Sequence, residues 1–180
     1  GTCHWCQEKG IQTALDSIAT YVEATEYKQE TGFLRTGKDK LALTYMDCTE
    51  LVARFVQLAC GQKDVQSFST LMLAPYAKEN GVYGGYLEFV SGSASESHVD
   101  IRPGDIFIWR RKSDGHVGVV ESYKEPYVYV IEALTSGCEG RLNVGSCDRC
   151  VRRSKYTRNG KALFKHEGWK GYFRTIIKND

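Results

Sequence analysis

The apolar residues of this chain change their spacing once. Between residues 11 and 60 they recur at intervals of three and four, which is the period of an amphipathic helix. From residue 105 onward they form short alternating or continuous runs, the pattern typical of strands. Helices followed by hairpin-linked strands predict an α+β fold, with N-terminal helices packed on an antiparallel β-sheet.

The first half contains three predicted helices, at residues 11–29, 47–60 and 68–79. Gly61 supplies a stop for the second helix, and Pro75 disturbs the third. The second half contains predicted strands at residues 105–110, from 116, from 127 and at 171–177. Residues 137–170, rich in cysteine, glycine and arginine, match no simple pattern.

Length and charge narrow the class of protein. A chain of 180 residues predicts a single domain. Its net charge of +2 is too small to predict nucleic-acid binding. The sequence contains no apolar run near the roughly 18 residues that a membrane-crossing helix needs, so we expect no membrane insertion.

Seven cysteines allow three interpretations. One free thiol and three disulfides would indicate an oxidising compartment. Alternatively, the two Cys-x-x-Cys pairs, Cys3 with Cys6 and Cys147 with Cys150, supply four thiolates for a zinc ion. Reduced thiols throughout are the third interpretation.

Cys48 lies just ahead of an apolar run, where its neighbour Asp47 is suited to be a helix N-cap. Unpaired backbone N–H groups and the helix dipole favour an anion there, and hence a thiolate nucleophile. The same N–H groups could stabilise a tetrahedral oxyanion. A cysteine in this position is often only structural, so the inference needs partners.

His116 and Glu132 are the candidate partners. His116 follows a turn and opens the apolar strand "HVGVV", where it can face a cleft and act as a general base. Glu132 ends the strand "YVYVIE" and can orient the imidazole, as the third member of a catalytic triad does. Each residue alone is commonly structural; the order cysteine helix, histidine strand, carboxylate strand points to catalysis.

Three stretches in this order resemble a known group of enzymes. "DCTELV" (47–52), "RPGDIFIW" (102–109) and "GHVGVVESY" (115–123) are similar to motifs of the NlpC-type and CHAP cysteine peptidases and amidases. These papain-like α+β enzymes cut bacterial cell-wall peptides. The resemblance implies one peptidase or amidase domain over residues 1–180, with a cysteine-rich insertion around 137–160.

The resemblance also implies roles for single residues. Cys48 would be the nucleophile, His116 the general base and Glu132 the third catalytic residue, as in CHAP members. Tyr45, Asp47 and Thr49 occupy positions that can contact substrate. Glu50 departs from the small residue usual at its position. No metal or cofactor is expected.

The implied function is hydrolysis of amide bonds in peptidoglycan stem peptides through a cysteine thioester. Such an enzyme would be secreted or delivered to the bacterial periplasm or cell envelope. The resemblance also suggests an antibacterial toxin, which would have an immunity protein as partner. Three alternatives remain: a non-catalytic peptide-binding module, a zinc or redox module built on the two Cys-x-x-Cys pairs, and a different transferase or deubiquitinating-type peptidase on the same fold.

Overall fold

The computed structural model describes residues 8–27, 45–61, 65, 68–91, 100–135 and 150–177. These residues form helices α1 (Glu8–Ala19), α2 (Cys48–Cys60) and α3 (Thr70–Leu73), and a 3₁₀ turn at Ala74–Tyr76. None of the helices in this part of the chain has the length and apolar character needed to cross a membrane.

In the described residues, nine strands form one sheet. They are β1 (Glu26–Tyr27), β2 (Tyr45–Met46), β3 (Val82–Tyr83), β4 (Leu87–Ser91), β5 (Ile106–Arg110), β6 (Gly115–Lys124), β7 (Tyr127–Leu134), β8 (Cys150–Thr157) and β9 (Trp169–Thr175).

The strand order is β2-β1-β8-β7-β6-β5-β9-β4-β3. β1 and β2 pair in parallel, and every other neighbouring pair is antiparallel. The central strands β5 to β8 follow one another as a meander, while β9 returns to lie between β5 and β4. The prediction of an α+β fold with helices on an antiparallel sheet is confirmed.

Helix α2 packs on one face of the sheet. Its residues Leu51 and Phe55 are fully buried with Val117 and Val119 of β6 and Ile131 of β7. Burying a side chain of this size contributes about 1.5–3 kcal/mol. This core fixes the helix against the two strands that carry His116 and Glu132.

A second, smaller core lies on the other face of the sheet. Phe107 of β5, Val120 of β6 and Val130 of β7 are buried there together with Leu163. Leu163 belongs to the connection between β8 and β9. This connection therefore covers the face of the sheet opposite α2.

The predicted element bounds needed three corrections. The first helix ends at Ala19 instead of residue 29, because Glu26 and Tyr27 pair with β2 and β8. The third helix keeps only four α-helical residues before the 3₁₀ turn that contains Pro75. β8 forms within the region that had no assignment, and it pairs along its whole length with β7.

Candidate active site

The start of α2 presents Cys48 at the positive end of the helix dipole. Asp47 has extended backbone angles (φ −94°, ψ 179°), and its Oδ1 accepts a hydrogen bond from the Glu50 N–H at 2.7 Å. The Leu51 N–H donates to the Asp47 carbonyl at 3.1 Å. Helix geometry leaves the N–H groups of Cys48 and Thr49 without an intrahelical acceptor. Asp47 is thus the predicted N-cap.

Cys48 is a free thiol and is 9% exposed. Cys60 and Cys150 are disulfide-bonded. Cys3, Cys6, Cys138 and Cys147 lie outside the described residues, so the arrangement of three disulfides stays a prediction. Among the described residues, no group of three or more potential ligands is placed to hold a metal ion.

His116 lies one residue into β6, opposite Trp109 of β5. Its Nε2 is 2.7 Å from Oε1 of Glu132 in β7. The Glu132 side chain is 1% exposed and that of His116 is 13% exposed, so this pair is shielded from water. The sheet therefore brings together two residues that are 16 positions apart in sequence.

The side chain of Cys48 also acts on the imidazole of His116, and it raises the pKa of that ring. Because Nε2 is taken by Glu132, Nδ1 is the ring nitrogen left for the sulfur. Burial disfavours the charged ring, but the hydrogen bonds and negative charge of Cys48 and Glu132 outweigh it and raise the pKa of His116 to about 10. This arrangement favours the charged, imidazolium form of His116.

The second oxygen of Glu132 has its own partner, Tyr156 of β8, whose hydroxyl donates to Oε2. Burial raises the pKa of Glu132, but hydrogen bonds from His116, Ser154 and Tyr156 and the charge of His116 bring it below its usual value. The carboxylate thus stays charged although it is buried.

Tyr156 was missed by the sequence analysis. Burial, together with the charge of Glu132, raises the pKa of Tyr156 to about 12, so the phenol remains a donor at neutral pH. The only signal in the sequence is one aromatic residue in the polar run "RRSKYT", which by itself predicts no function.

A cavity of about 480 Å³ opens over these residues. Cys48, His116, Glu132 and Tyr156 line it. The rest of its lining includes four aromatic rings, those of Tyr27, Phe107, Trp109 and His166. A substrate in this cavity can reach the sulfur and the imidazole at the same time.

The three predicted substrate-binding residues lie around the start of α2. Tyr45 pairs with Glu26 in the sheet, and its side chain is outside the described part of the chain. Asp47 and Thr49 are 4% and 8% exposed, and the Thr49 hydroxyl donates to Asp47 Oδ1 at 3.0 Å. Their observed contacts hold the helix start.

Two solved structures are similar to this fold. The endolysin LysIME-EF1 superposes with a TM-score of 0.53 at 12% identity, over 93% of this chain and 65% of that one. Ly7917 superposes with a TM-score of 0.50 at 14% identity, over 92% of this chain and 62% of that one. The chain thus spans less than two thirds of either protein, and the likeness concerns the fold alone.

No curated protein matches the chain in sequence. Residues 38–133, more than half of the chain, match the CHAP domain. The matched segment contains Cys48, His116 and Glu132, the three residues that meet in the cavity. On this match, the chain belongs to the CHAP domain family.

Proposed function

We propose that this protein hydrolyses amide bonds in the stem peptides of peptidoglycan through a thioester on Cys48. The observation that carries the proposal is that Cys48, His116 and Glu132 line one cavity, where His116 is hydrogen-bonded to Glu132 and its pKa is raised by Cys48. Membership of the CHAP family and the fold shared with an endolysin support the cell wall as substrate.

The first step is acylation. The Cys48 sulfur attacks the amide carbonyl carbon, and the carbonyl oxygen becomes an oxyanion near the N–H groups at the start of α2. As the carbon–nitrogen bond breaks, His116 transfers its Nδ1 proton to the leaving amine. The acyl group remains on Cys48 as a thioester, and the imidazole is neutral.

The second step is deacylation. The neutral imidazole of His116 takes a proton from a water molecule, and the resulting hydroxide attacks the thioester carbon. The carbon–sulfur bond breaks and releases a carboxylic acid. Cys48 returns as a thiolate and His116 as an imidazolium, so the site regains its starting charges.

Glu132 keeps His116 in the required orientation and tautomer, since Oε1 accepts a hydrogen bond from the Nε2–H group throughout the cycle. Asp47 and Thr49 hold the helix start in this proposal. Their contact with a substrate amine, and that of Tyr45, stay predictions. Because the proposed substrate is the bacterial cell wall, we expect the enzyme to act in the cell envelope after secretion or delivery. An immunity protein as partner also stays a prediction.

The direct test is incubation with purified peptidoglycan, followed by mass spectrometry of the released fragments. Wild type should release peptides, whereas Cys48→Ala and His116→Ala should each release none, although both should remain folded at the assay temperature. Lys155→Ala, a change at an exposed position of β8, is the matched control and should keep full activity. Full activity in both site variants would refute the proposal.

Thiol labelling separates an enzyme from a binding module on the same scaffold. Iodoacetamide at pH 6 should modify Cys48 rapidly in wild type, because the imidazolium of His116 stabilises the thiolate. The His116→Ala variant should react much more slowly at the same pH. Equal rates would show that His116 does not activate the sulfur.

A further inference from the structure

A second histidine, His166, lies on the wall of the same cavity, 50 residues after His116. It belongs to the connection between β8 and β9, which covers the face of the sheet opposite α2. The catalytic steps proposed above do not use it. Its ring stacks on Trp109, with centroids 4.0 Å apart and planes inclined by 23°.

The tautomer of His166 follows from one backbone contact. The Gly168 N–H donates to Nδ1 of His166 at 3.0 Å, so Nδ1 carries no proton. A neutral imidazole of this kind carries its proton on Nε2 and offers one donor there. Burial, and next the nearby charge of Arg111, lower the pKa of His166, which keeps the ring neutral at pH 7.

The backbone around His166 is fixed from both sides. The His166 N–H donates to the Leu163 carbonyl at 2.9 Å, and Leu163 is fully buried. The Arg110 N–H donates to the Gly168 carbonyl at 2.8 Å, which ties the turn to β5. His166 is thus a preorganised group, and binding a ligand there requires little loss of side-chain freedom.

We propose that His166 binds the substrate: its Nε2–H donates a hydrogen bond to a carbonyl oxygen of the stem peptide, beside the indole of Trp109. The peptide contributes many carbonyl acceptors, and a neutral donor recognises them without requiring a charged partner. The proposal rests on the proposed function, because it assigns a role to His166 in the same cavity and for the same substrate.

Three substitutions of His166 test separately the roles of its two ring nitrogens and of the ring face that stacks on Trp109. In His166→Asn the side-chain oxygen can accept from Gly168, as Nδ1 does, but the donor at Nε2 is lost. In His166→Gln the amide nitrogen reaches the position of Nε2 and restores a donor. His166→Phe keeps an aromatic ring against Trp109 and has neither nitrogen.

Steady-state hydrolysis of purified soluble muropeptides is the measurement. His166→Asn and His166→Phe should raise KM about three- to tenfold, the effect of one lost hydrogen bond, with kcat nearly unchanged. His166→Gln should have a KM close to that of wild type. A purely structural role predicts the opposite, since Asn would keep the contact with Gly168 and Gln would lose it.

The outcomes distinguish this inference from the proposed function. If wild type cleaves muropeptides and the Asn and Phe variants keep the wild-type KM, His166 binds no substrate and only this inference is overturned. A high KM for Gln together with a normal KM for Asn also overturns it. If wild type cleaves no muropeptide, the proposed function and this inference are overturned together.

Discussion

The Tyr156 hydroxyl donates a hydrogen bond to Oε2 of Glu132, the carboxylate oxygen that does not contact His116. Both oxygens of this buried carboxylate are therefore engaged by side chains from other strands. The contact extends the proposed catalytic series from α2 across β6 and β7 to β8. It also makes the charge state of Glu132 depend on a strand beyond the matched CHAP segment.

Tyr156→Phe tests this contact with the loss of one oxygen. The hydrogen bonds that Glu132 accepts oppose the effect of burial and lower its pKa, so losing one should raise that pKa. We expect the acid limb of the kcat/KM profile to move to higher pH, with a loss of about tenfold near neutral pH from one charge-assisted hydrogen bond. The control, Tyr127→Phe at a position 38% exposed, should leave the profile unchanged. An unmoved acid limb would contradict the role given to Tyr156.

Glu132→Gln removes the charge while keeping the shape of the side chain. Burial works against the imidazolium of His116, and Glu132 is one of the two groups that outweigh it and bring the pKa to about 10. The alkaline limb of kcat/KM should therefore move to lower pH, and kcat should fall by about 10²-fold, less than in Cys48→Ala or His116→Ala. A pH–rate profile that matches wild type would place the third catalytic role elsewhere.

The raised pKa of His116 also predicts how stability changes with pH. Its folded value of about 10 exceeds the unfolded value of 6.5, so the stabilisation is fully present below pH 6.5 and is lost as the pH rises through 10. The melting temperature of wild type should exceed that of His116→Gln by several degrees at pH 6, and the gap should shrink toward pH 10.5. Thermal melts of both proteins across this range check the sign. A gap that widens with pH would show that the folded state does not favour the imidazolium.

Gly118 lies in β6, two residues after His116 and opposite Phe107 of β5. A Cβ at this position would lie 2.5 Å from Cε1 of Phe107 and 3.2 Å from Cβ of Glu132. Gly118→Ala should therefore displace both side chains, lower stability by about 1–3 kcal/mol and reduce activity. Phe107→Leu in the same chain should recover part of the loss, because it removes the closest ring atom. Denaturant unfolding measures the stability of the single and double variants, and muropeptide hydrolysis measures their activity. If the double variant were no more stable and no more active than Gly118→Ala, the steric explanation would be refuted.

Asp105, in the motif "RPGD", has a structural partner in Arg174 of β9. Nε and Nη2 of Arg174 donate to the two carboxylate oxygens at 2.8 and 2.9 Å, and the Arg102 N–H donates to Oδ2 at 2.9 Å. Asp105 is 1% exposed. Arg174→Met should leave this carboxylate without its charge partner and lower stability by about 3–5 kcal/mol.

The folded fraction of Arg174→Met should still label Cys48 with iodoacetamide at the wild-type rate, because the pair lies outside the cavity. Replacing both members, with Asp105→Leu added to Arg174→Met, should recover part of the stability, since no buried charge is then unpaired. A double variant no more stable than the single one would indicate that the backbone contact with Arg102 is the larger effect. Chemical denaturation of the three proteins measures this.

The elements with a clear apolar period could be predicted from the sequence. The second helix and the strands that begin at 106, 115 and 127 lie close to their predicted positions, because local pattern and tertiary burial agree there. β8 could not be predicted in this way. Its run "CVRRSKYT" has polar residues along most of its length, and pairing with β7 decides its structure.

The residues of the candidate site also fall into two groups, those that the sequence predicted and those that it did not. Cys48, His116 and Glu132 could be identified because each lies in or next to a regular apolar run, where a polar residue is conspicuous. Tyr156 belongs to β8 and His166 to the connection that follows it. Both reach the cavity only because β8 pairs with β7 and the connection packs on the sheet. Nothing local in their sequence distinguishes them from residues of an ordinary surface segment.

β9 lies between β5 and β4, and β8 lies beside β7. These positions limit which part of the chain can be transferred to another protein as a folded unit. A recombination breakpoint placed just after residue 133, where the CHAP match stops, would transfer Cys48, His116 and Glu132 without the strands on either side of them. Both β5 and β7 would then become open edges able to pair with other chains. Fusion proteins that carry residues 8–177 as a folded unit should therefore have their junction beyond β9.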